Sequence, residues 1–285
     1  QSFINYVYDP EWYRVDSLNA LTFTNADMKK ALAISQNKKS ESFNTTNSIT
    51  MLLSYKAWTI TPAIKFMYAN ELLNTELELI KENNVIQPLG VPWLNDLHLK
   101  NTNTQFSTGL NYKKEKFRFT LNLPVNNNII NVDDSKNKFA RDLNKWLLQP
   151  SMFTEIIIRK LTFMANASKS NSFSSLTSIY PGFTFSALNF NAYNSPIAEN
   201  QFYIAGTRIS YKNLLYNIDA NIGTGHNYMQ SNIMMSRTIA DNGQQITTAI
   251  LKDNKSSSFN LSGSFAKFFK TLKTSLNFNY RYAQN

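Results

Sequence analysis

The chain of 285 residues is 42% hydrophobic, carries a net charge of +10 and contains no cysteine, which excludes disulfides, thiol catalysis and cysteine metal sites. No stretch approaches the ~18 consecutive apolar residues of a membrane-spanning helix, so a membrane-spanning form of this chain must use the strands of a closed barrel. Its basic residues are spread along the sequence without a recognised binding motif, and we therefore expect no nucleic-acid partner.

The first 45 residues have the least regular pattern, and we expect short strands over 2–8 and 30–36. Beyond them, apolar and polar residues alternate, which places successive side chains on opposite faces of a strand. The first clear hairpin surrounds the turn at 55–57, and its outgoing strand alternates Trp58 and Ile60 with Thr59 and Thr61. This alternation predicts a strand with one apolar and one polar face.

Five short charged or polar turns recur along the chain at an almost even spacing. They lie at 55–57, 113–116, 159–160, 212–213 and 267–270. The intervals leave room for two strands of ~10 residues and one long loop. We therefore expect about ten to twelve antiparallel strands, joined alternately by short periplasmic turns and long outer loops.

The segments between these hairpins are polar and are predicted to be the long loops. They cover 70–103, 124–151, 168–201 and 228–256. Within them, 70–84 and 138–148 have helix-like spacing and could form short helices. The sequence Asp241-Asn242-Gly243 predicts the tip of a hairpin extension inside the last segment.

The strand faces beside the turns give two sets of candidate residues. The apolar set is expected to face lipid: Phe117, Phe119, Ile218, Ile222, Leu272, Leu276 and Phe278. The polar set is expected to face a water-filled lumen: Asn217, Asp219, Asn277, Asn279 and Arg281. Both expectations rest on a period of two, in which charged residues at every second position exclude burial of both faces.

Aromatic residues provide a second indication, because they concentrate near the short turns, among them Tyr55, Trp58, Tyr112, Phe117 and Tyr216. Transmembrane barrels place aromatic girdles at the bilayer interface. The alternative explanation is that Tyr and Phe are good strand formers. We favour the girdle because the clustering repeats at the better-defined turns.

Residues 104–125, which end in Leu121-Asn122-Leu123-Pro124-Val125, resemble barrel hairpins of TonB-dependent-receptor-like outer-membrane proteins of the Bacteroidetes type. The stretch from 203 to 285 is similar to a later part of the same barrels, with a Tyr-Lys-Asn-Leu-Leu turn, an Asn-rich loop and a Ser-rich strand. The resemblance implies a bacterial outer-membrane location and a role in solute import. It also implies a barrel of 22 strands around a plug domain, preceded by a segment that contacts TonB.

This sequence departs from that pattern, because it contains about half of the strands and neither the plug nor the contact segment. The first residues also lack the charged start and apolar core of a signal peptide, and the last residues lack the terminal aromatic that such barrels carry. We therefore expect residues 1–285 to be a single outer-membrane barrel domain that is incomplete at both ends.

Candidate catalytic and metal-binding residues are few. His98 and His226 are the two histidines, and neither has a second histidine or a carboxylate at metal spacing. Asp133, Asp134 and Asp241 do not form a glycine-punctuated calcium loop and are read as solvated turn acids. We expect no enzyme activity, no cofactor and no metal.

Together these observations favour an outer-membrane barrel for receptor-type import or passage of a solute. Its expected partners are outer-membrane lipid, an unknown solute, TonB through a part of the parent protein that is absent here, and other envelope proteins. Two alternatives stay open: a non-transporting barrel that acts as an anchor or subunit of an envelope assembly, and a soluble secreted β-rich binding protein.

Overall fold

The computed structural model describes residues 2–15, 33–81, 85–91, 93–174, 179, 182, 184–186, 189–191, 196–239 and 245–285. Within these residues the fold consists of strands and turns, with no helix. The strands are β1 (Ser2–Val15), β2 (Ala33–Thr50), β3 (Leu53–Tyr55), β4 (Trp58–Ile80), β5 (Ile86–Pro88), β6 (Leu94–Lys114), β7 (Phe117–Asp134), β8 (Phe139–Leu148), β9 (Ser151–Ile158), β10 (Leu161–Phe173), β11 (Thr184–Ser186), β12 (Asn189–Asn191), β13 (Glu199–Asn213), β14 (Ile218–Ile239), β15 (Gln245–Phe269) and β16 (Thr274–Gln284).

All of these strands belong to one sheet. Neighbouring long strands are antiparallel and follow the order β1-β2-β4-β6-β7-β9-β10-β13-β14-β15-β16. This chain-order meander confirms the predicted all-β antiparallel architecture. In the part of the chain that the structure describes, no ladder joins β1 to β16, so the sheet has two open edges.

The five predicted hairpins are all present, and their turns lie at one end of the sheet. Three turns have two residues, at 56–57, 115–116 and 159–160, and two have four residues, at 214–217 and 270–273. The last two therefore begin two or three residues later than predicted, because β13 and β15 continue through 212–213 and 267–269. We call this end of the sheet the turn edge.

Several turn residues other than glycine adopt left-handed backbone conformations. Lys56, Glu115 and Arg159 are the first residues of the two-residue turns and have φ of 53°, 42° and 56°. Asn217 and Lys273 end the four-residue turns with φ of 49° and 48°. A left-handed residue turns the chain back tightly, and it carries a steric cost for every residue except glycine.

The predicted loops are much shorter than the sequence suggests, because the strands extend far beyond the hairpins. The helix-like spacing at 70–84 and 138–148 is misleading: β4 runs on to Ile80 and β8 covers 139–148. In β4, both Leu72 and Leu73 are apolar, which imitates helical periodicity. Pairing with β2 and β6 satisfies the backbone of this segment and makes it a strand.

Other predictions concern the two ends of the chain. The expected strand at 2–8 is part of β1, and the one at 30–36 corresponds to the start of β2, with 30–32 outside the described residues. The hairpin extension around 241–243 is present as the paired ends of β14 and β15, although its tip lies outside the described residues.

Between β7 and β10 the sheet is continuous through β9 and interrupted beside β8. Strands β8 and β9 pair with β7 in one continuous register, from Asp134↔Phe139 to Phe117↔Ile156, across the break at Gln149 and Pro150. Only β9 pairs with β10, and among the described residues no ladder joins β8 to β10. The side chains of Lys145 and Glu199 form an ion pair across this division.

Candidate functional site

The two faces of the sheet differ along the half of each strand next to the turn edge. On β4, one face carries Trp58, Ile60, Ile64 and Phe66, and the strand register extends this face across the sheet. We call it the Trp58 face. The opposite face, which carries Lys65, is the Lys65 face.

The Trp58 face is apolar and exposed. Ile64 is 52% exposed, and Ile156 and Ile222 are similarly uncovered at 40% and 52%. Exposed apolar area of this extent marks an interaction surface. On strands of this length it has the form of the lipid-facing band of a membrane barrel.

Aromatic side chains border this band at both ends. Near the turn edge, the rings of Trp58 and Tyr112 have centroids 4.7 Å apart, and those of Tyr112 and Phe117 are 5.7 Å apart. At the far border, Phe43 contacts Tyr68 at 6.4 Å. From 58 to 68, ten residues at ~3.3 Å on a strand tilted by ~45° span about 23 Å in height, close to the ~25 Å of an outer-membrane apolar band.

The turn edge also combines cations with aromatic rings. The ammonium groups of Lys56, Lys160 and Lys267 lie 5.1, 5.9 and 4.9 Å from the ring centroids of Tyr55, Tyr216 and Phe269, respectively. Such pairs suit the headgroup region, because the ring needs an apolar neighbour and the ammonium needs water or phosphate.

The Lys65 face is polar over the same stretch, and its side chains bond to each other between strands. Thr120 donates a hydrogen bond to Asn111 at 2.9 Å, and Asn122 donates one to Ser151 at 3.3 Å. Asn103 donates to Asn128 in the same way. A hydrogen-bonded polar face opposite a bare apolar face gives the sheet a water side and an apolar side.

The structure distributes most of the candidate residues between the two faces in the predicted manner. Asp219, Asn277, Asn279 and Arg281 lie on the Lys65 face. Phe117, Phe119, Ile218, Ile222, Leu276 and Phe278 lie on the Trp58 face. Which face meets lipid and which meets the lumen stays a prediction.

Two candidates do not lie on a strand face. Asn217, predicted to face the lumen, is the left-handed last residue of the turn at 214–217. Leu272, predicted to face lipid, lies in the turn at 270–273 and is 72% exposed. Both were placed wrongly on strands because the turns begin later than the sequence pattern suggests.

Both histidines occupy strand positions, although His98 falls within the loop predicted over 70–103. His98 lies in β6 with its Nε2 3.6 Å from Asp96 Oδ1, and His226 lies within β14, where its Nε2 is 3.0 Å from Ser257 Oγ. Neither belongs to a group of three or more potential metal ligands among the described side chains. Their longer strands explain the difference from the sequence-based placement.

Asp134 has a structural role. Its Oδ1 accepts hydrogen bonds from the backbone N–H groups of Lys136 and Asn137 at 3.0 and 2.9 Å, and its Oδ2 accepts one from Asp96 N at 3.0 Å. The side chain is 1% exposed. Asp134 therefore fixes the turn between β7 and β8, but it is buried and not solvated as the sequence predicted, because these three backbone N–H groups satisfy its carboxylate.

Beyond the polar stretch, the Lys65 face carries a buried hydrophobic cluster that sequence reasoning missed. The segment between β10 and β13 contributes Ile179 and Ile197 to it, packed on residues of β4, β6, β7 and β8. The sheet members are Leu73, Leu97, Leu99, Ile130, Val132 and Phe139. The only signal in the sequence was the unusual density of leucine around 72–79, which was interpreted as a helix.

Comparison with known proteins gives no match by sequence and clear matches by fold. No family model matches the chain. No curated protein matches it either. The copper transporter OprC matches 98% of this chain with 43% of its own length, at a TM-score of 0.61 and 11% identity.

Two further solved structures show the same likeness. The ferric citrate transporter FecA, in its unliganded form, matches 88% of this chain with 36% of its own, at a TM-score of 0.55 and 11% identity. FpvA of P. aeruginosa, bound to a heterologous pyoverdine and iron, matches 99% of this chain with 37% of its own, at a TM-score of 0.51 and 8% identity. All three are TonB-dependent receptors.

The sheet has the fold of a TonB-dependent receptor barrel. This confirms the fold that the resemblance of residues 104–125 implied, while the Bacteroidetes type stays a prediction. The chain spans less than half of the length of each of these three structures. In the described residues, no helix is long and apolar enough to cross a membrane.

Proposed function

We propose that the chain is part of an outer-membrane barrel of the TonB-dependent receptor type, which imports a solute into a Gram-negative bacterium. The Trp58 face would contact lipid, and the Lys65 face would line the water-filled lumen. The observation that carries the proposal is the pairing of these faces on one stretch of strand. A largely apolar band about 23 Å high, bordered by aromatic rings, lies directly behind a polar network.

Residues 1–285 would then form one barrel domain whose remaining strands lie outside this sequence. Two findings support this part of the proposal: β1 and β16 keep unpaired outer edges among the described residues, and the similar receptors are more than twice as long. An unpaired strand edge attracts further strands, and lipid tolerates only closed barrels.

The same comparison supports a proposal about where the solute binds and how transport is powered. The similar proteins are a copper transporter, a ferric citrate transporter and FpvA in complex with pyoverdine and iron. By analogy, we propose that the parent protein binds its solute in the lumen and is coupled to TonB by a part outside this chain.

Membrane fractionation tests the location. Sucrose-density separation should place the protein in the outer-membrane fraction, and detergent but not alkaline carbonate should extract it. Recovery in the soluble fraction would support the secreted β-rich alternative and contradict the proposal.

Uptake by a deletion strain tests the transport role. A solute that a complemented strain removes from the medium should remain in the medium of the deletion strain, and a protonophore should abolish its removal. Normal consumption of every medium component by the deletion strain, with the protein still in the outer membrane, would favour the non-transporting barrel.

A further inference from the structure

At one depth in the band, the charged side chains of the described strands lie on one face and have one sign. Six to eight residues in from the turn edge, the described strands carry three charged side chains, Lys65, Arg208 and Arg281, all on the Lys65 face. The acids Glu155 and Asp219 lie closer to the turns, and Lys169, on the Trp58 face, lies one residue farther from them. A cleft lined by charge of one sign concentrates ligands of the opposite sign.

Two of these cations lie in a single row across the sheet. Arg208 of β13 pairs with Gly223 of β14, Gly223 pairs with Ser262 of β15, and Ser262 pairs with Arg281 of β16. Three strand spacings of ~4.8 Å separate the Cα atoms of the two arginines by about 14 Å. We call these four residues the Arg208 row.

The residues between the two arginines are small. A Cβ atom on Gly223 would lie 3.6 Å from both Cβ and Cγ of Arg208, so the arginine side chain lies alongside the bare glycine backbone. The neighbouring row contains Gly206 and Gly225 as a direct pair. Only Gly223 and Ser262 lie between the two arginines in the row, so no bulky side chain separates the guanidinium groups.

The two guanidinium groups also lack side-chain partners among the described residues. Across the part of the chain that the structure describes, neither Arg208 nor Arg281 has an ion-pair, hydrogen-bond or aromatic partner for its side chain. Arg118 and Arg141, by contrast, lie over the rings of Phe153 and Phe139. Both arginines of the row are exposed and offer fork-shaped donors that suit carboxylate and phosphate oxygens.

We propose that the Arg208 row binds the anionic group of the solute, a carboxylate or phosphate placed over Gly223 and Ser262 between the two guanidinium groups. The role of the row in import rests on the proposed function, whereas anion binding by the row depends only on residues of this chain. Two guanidinium groups on the same face, with only small residues between them, favour anions with several oxyanion groups over neutral or cationic solutes.

Equilibrium dialysis with the full chain in detergent micelles tests this proposal. The probes are citrate, inorganic pyrophosphate and, as a cation, spermidine. The wild-type protein should bind at least one of the two anions and should not bind spermidine. The double variant R208Q/R281Q should bind that anion at least tenfold more weakly, and a preference for citrate or pyrophosphate identifies the carboxylate or phosphate class.

The matched control is K255Q/K267Q, which removes the same charge from the Trp58 face of β15. Its anion affinity should stay within twofold of the wild type. An equal loss in this control, no loss in R208Q/R281Q, or no anion binding by the wild type would each overturn the proposal. Circular dichroism reports whether R208Q/R281Q keeps its strands.

If R208Q/R281Q fails to fold, the variants R208K and R281K test the proposal instead. Each keeps the positive charge but loses the paired N–H donors of the guanidinium group. Each should weaken anion binding severalfold, and unchanged binding in both would overturn the proposal. Failure here is separable from failure of the proposed function. A protein required for uptake in the outer membrane that binds no anion refutes only the anion site, whereas an anion-binding protein outside the outer membrane refutes only the import role.

Discussion

Asn95 and Gly182, 87 positions apart in the sequence, are joined by two hydrogen bonds. Gly182 N donates to Asn95 Oδ1 at 2.7 Å, and Asn95 Nδ2 donates to Gly182 O at 3.3 Å. Asn95 Nδ2 also donates to Thr75 Oγ1 at 2.7 Å. One buried amide thus holds the segment between β10 and β13 against the sheet.

We expect Asn95→Ala to release this segment locally. The variant leaves the buried N–H and C=O groups of Gly182 without partners, at a cost of about 1–3 kcal/mol for an unsatisfied buried group. Hydrogen exchange should become faster around Ile179 and Gly182, and limited proteolysis should cut between 174 and 198. Asn144→Ala, at an exposed position of β8, is the control and should leave both unchanged; unaltered protection in Asn95→Ala would contradict the role of this amide.

The two faces predict opposite responses to arginine at neighbouring positions. Ile222 lies five residues from the turn edge on the Trp58 face, about 12 Å up a tilted strand and thus near the bilayer midplane. Ile222→Arg should lower the free energy of unfolding in lipid by about 2–4 kcal/mol. Asn221→Arg, on the Lys65 face of the same strand, should change it little.

Leu276→Arg refines that test by depth. Leu276 lies on the same face but only three residues from the turn edge, and the cost should fall to about 0–1 kcal/mol near the interface. Urea titration of the protein in phospholipid vesicles measures all three variants. Equal stability of Ile222→Arg and Asn221→Arg would argue against a lipid-facing Trp58 face.

The left-handed turn residues make a prediction about hairpin stability. Glu115 has a φ of 42°, a conformation that costs a side-chain-bearing residue about 1–2 kcal/mol. Glu115→Gly should therefore stabilise the hairpin by up to about 1 kcal/mol, after subtracting the entropy that glycine loses on folding. Lys116→Gly, at the next position, lacks the strain relief and should destabilise it; thermal unfolding compares the two, and the same sign for both would refute the assignment of strain.

Glu71 links stability to pH. It lies on β4 beyond Tyr68 and outside the apolar band, and burial raises its pKa above the ordinary value of 4.5. The folded chain then holds the proton more tightly than the unfolded chain, so stability falls as pH rises from 4.5 through the raised pKa. Glu71→Gln should be more stable than the wild type at pH 7, and the difference should vanish below pH 4.5.

Denaturant titrations of the wild type and Glu71→Gln at pH 4 and pH 7 measure this linkage. A difference in stability that is the same at both pH values would indicate a steric effect of the substitution and not the loss of a buried charge.

The half of the sheet next to the turn edge was predictable from the sequence, because one face meets water and the other is apolar. Alternation then appears directly in pairs such as Ile222 and Asn221. The far half was not predictable, since Leu72 and Leu73 put apolar groups on both faces of β4. Only the pairing with β2 and β6 shows that this pattern belongs to a strand.

The register between neighbouring strands also could not be predicted from the sequence. The Arg208 row brings together residues 73 positions apart through three successive ladders, and a shift of one residue in any of them would move Arg281 to the opposite face. The sequence pattern grouped Arg281 with Asn277 and Asn279 on one face of its strand, as the structure has it. It contained no indication that Arg208 would share its row.

The division between β8 and β10 has a mechanical consequence. Bending a sheet across a hydrogen-bonded ladder strains every bond in it, whereas in the described structure β8 and the adjoining strands are linked across their gap by side chains such as Lys145 and Glu199. Beyond Pro150 the sheet therefore consists of two parts, one ending in β8 and one beginning with β10. Among the described residues, the two parts are joined by strand ladders only through β9. The segment between β10 and β13 adds a second connection, because Ile179 and Ile197 pack on β4, β6, β7 and β8. Above β9, side-chain packing and not a strand ladder therefore holds the two parts together.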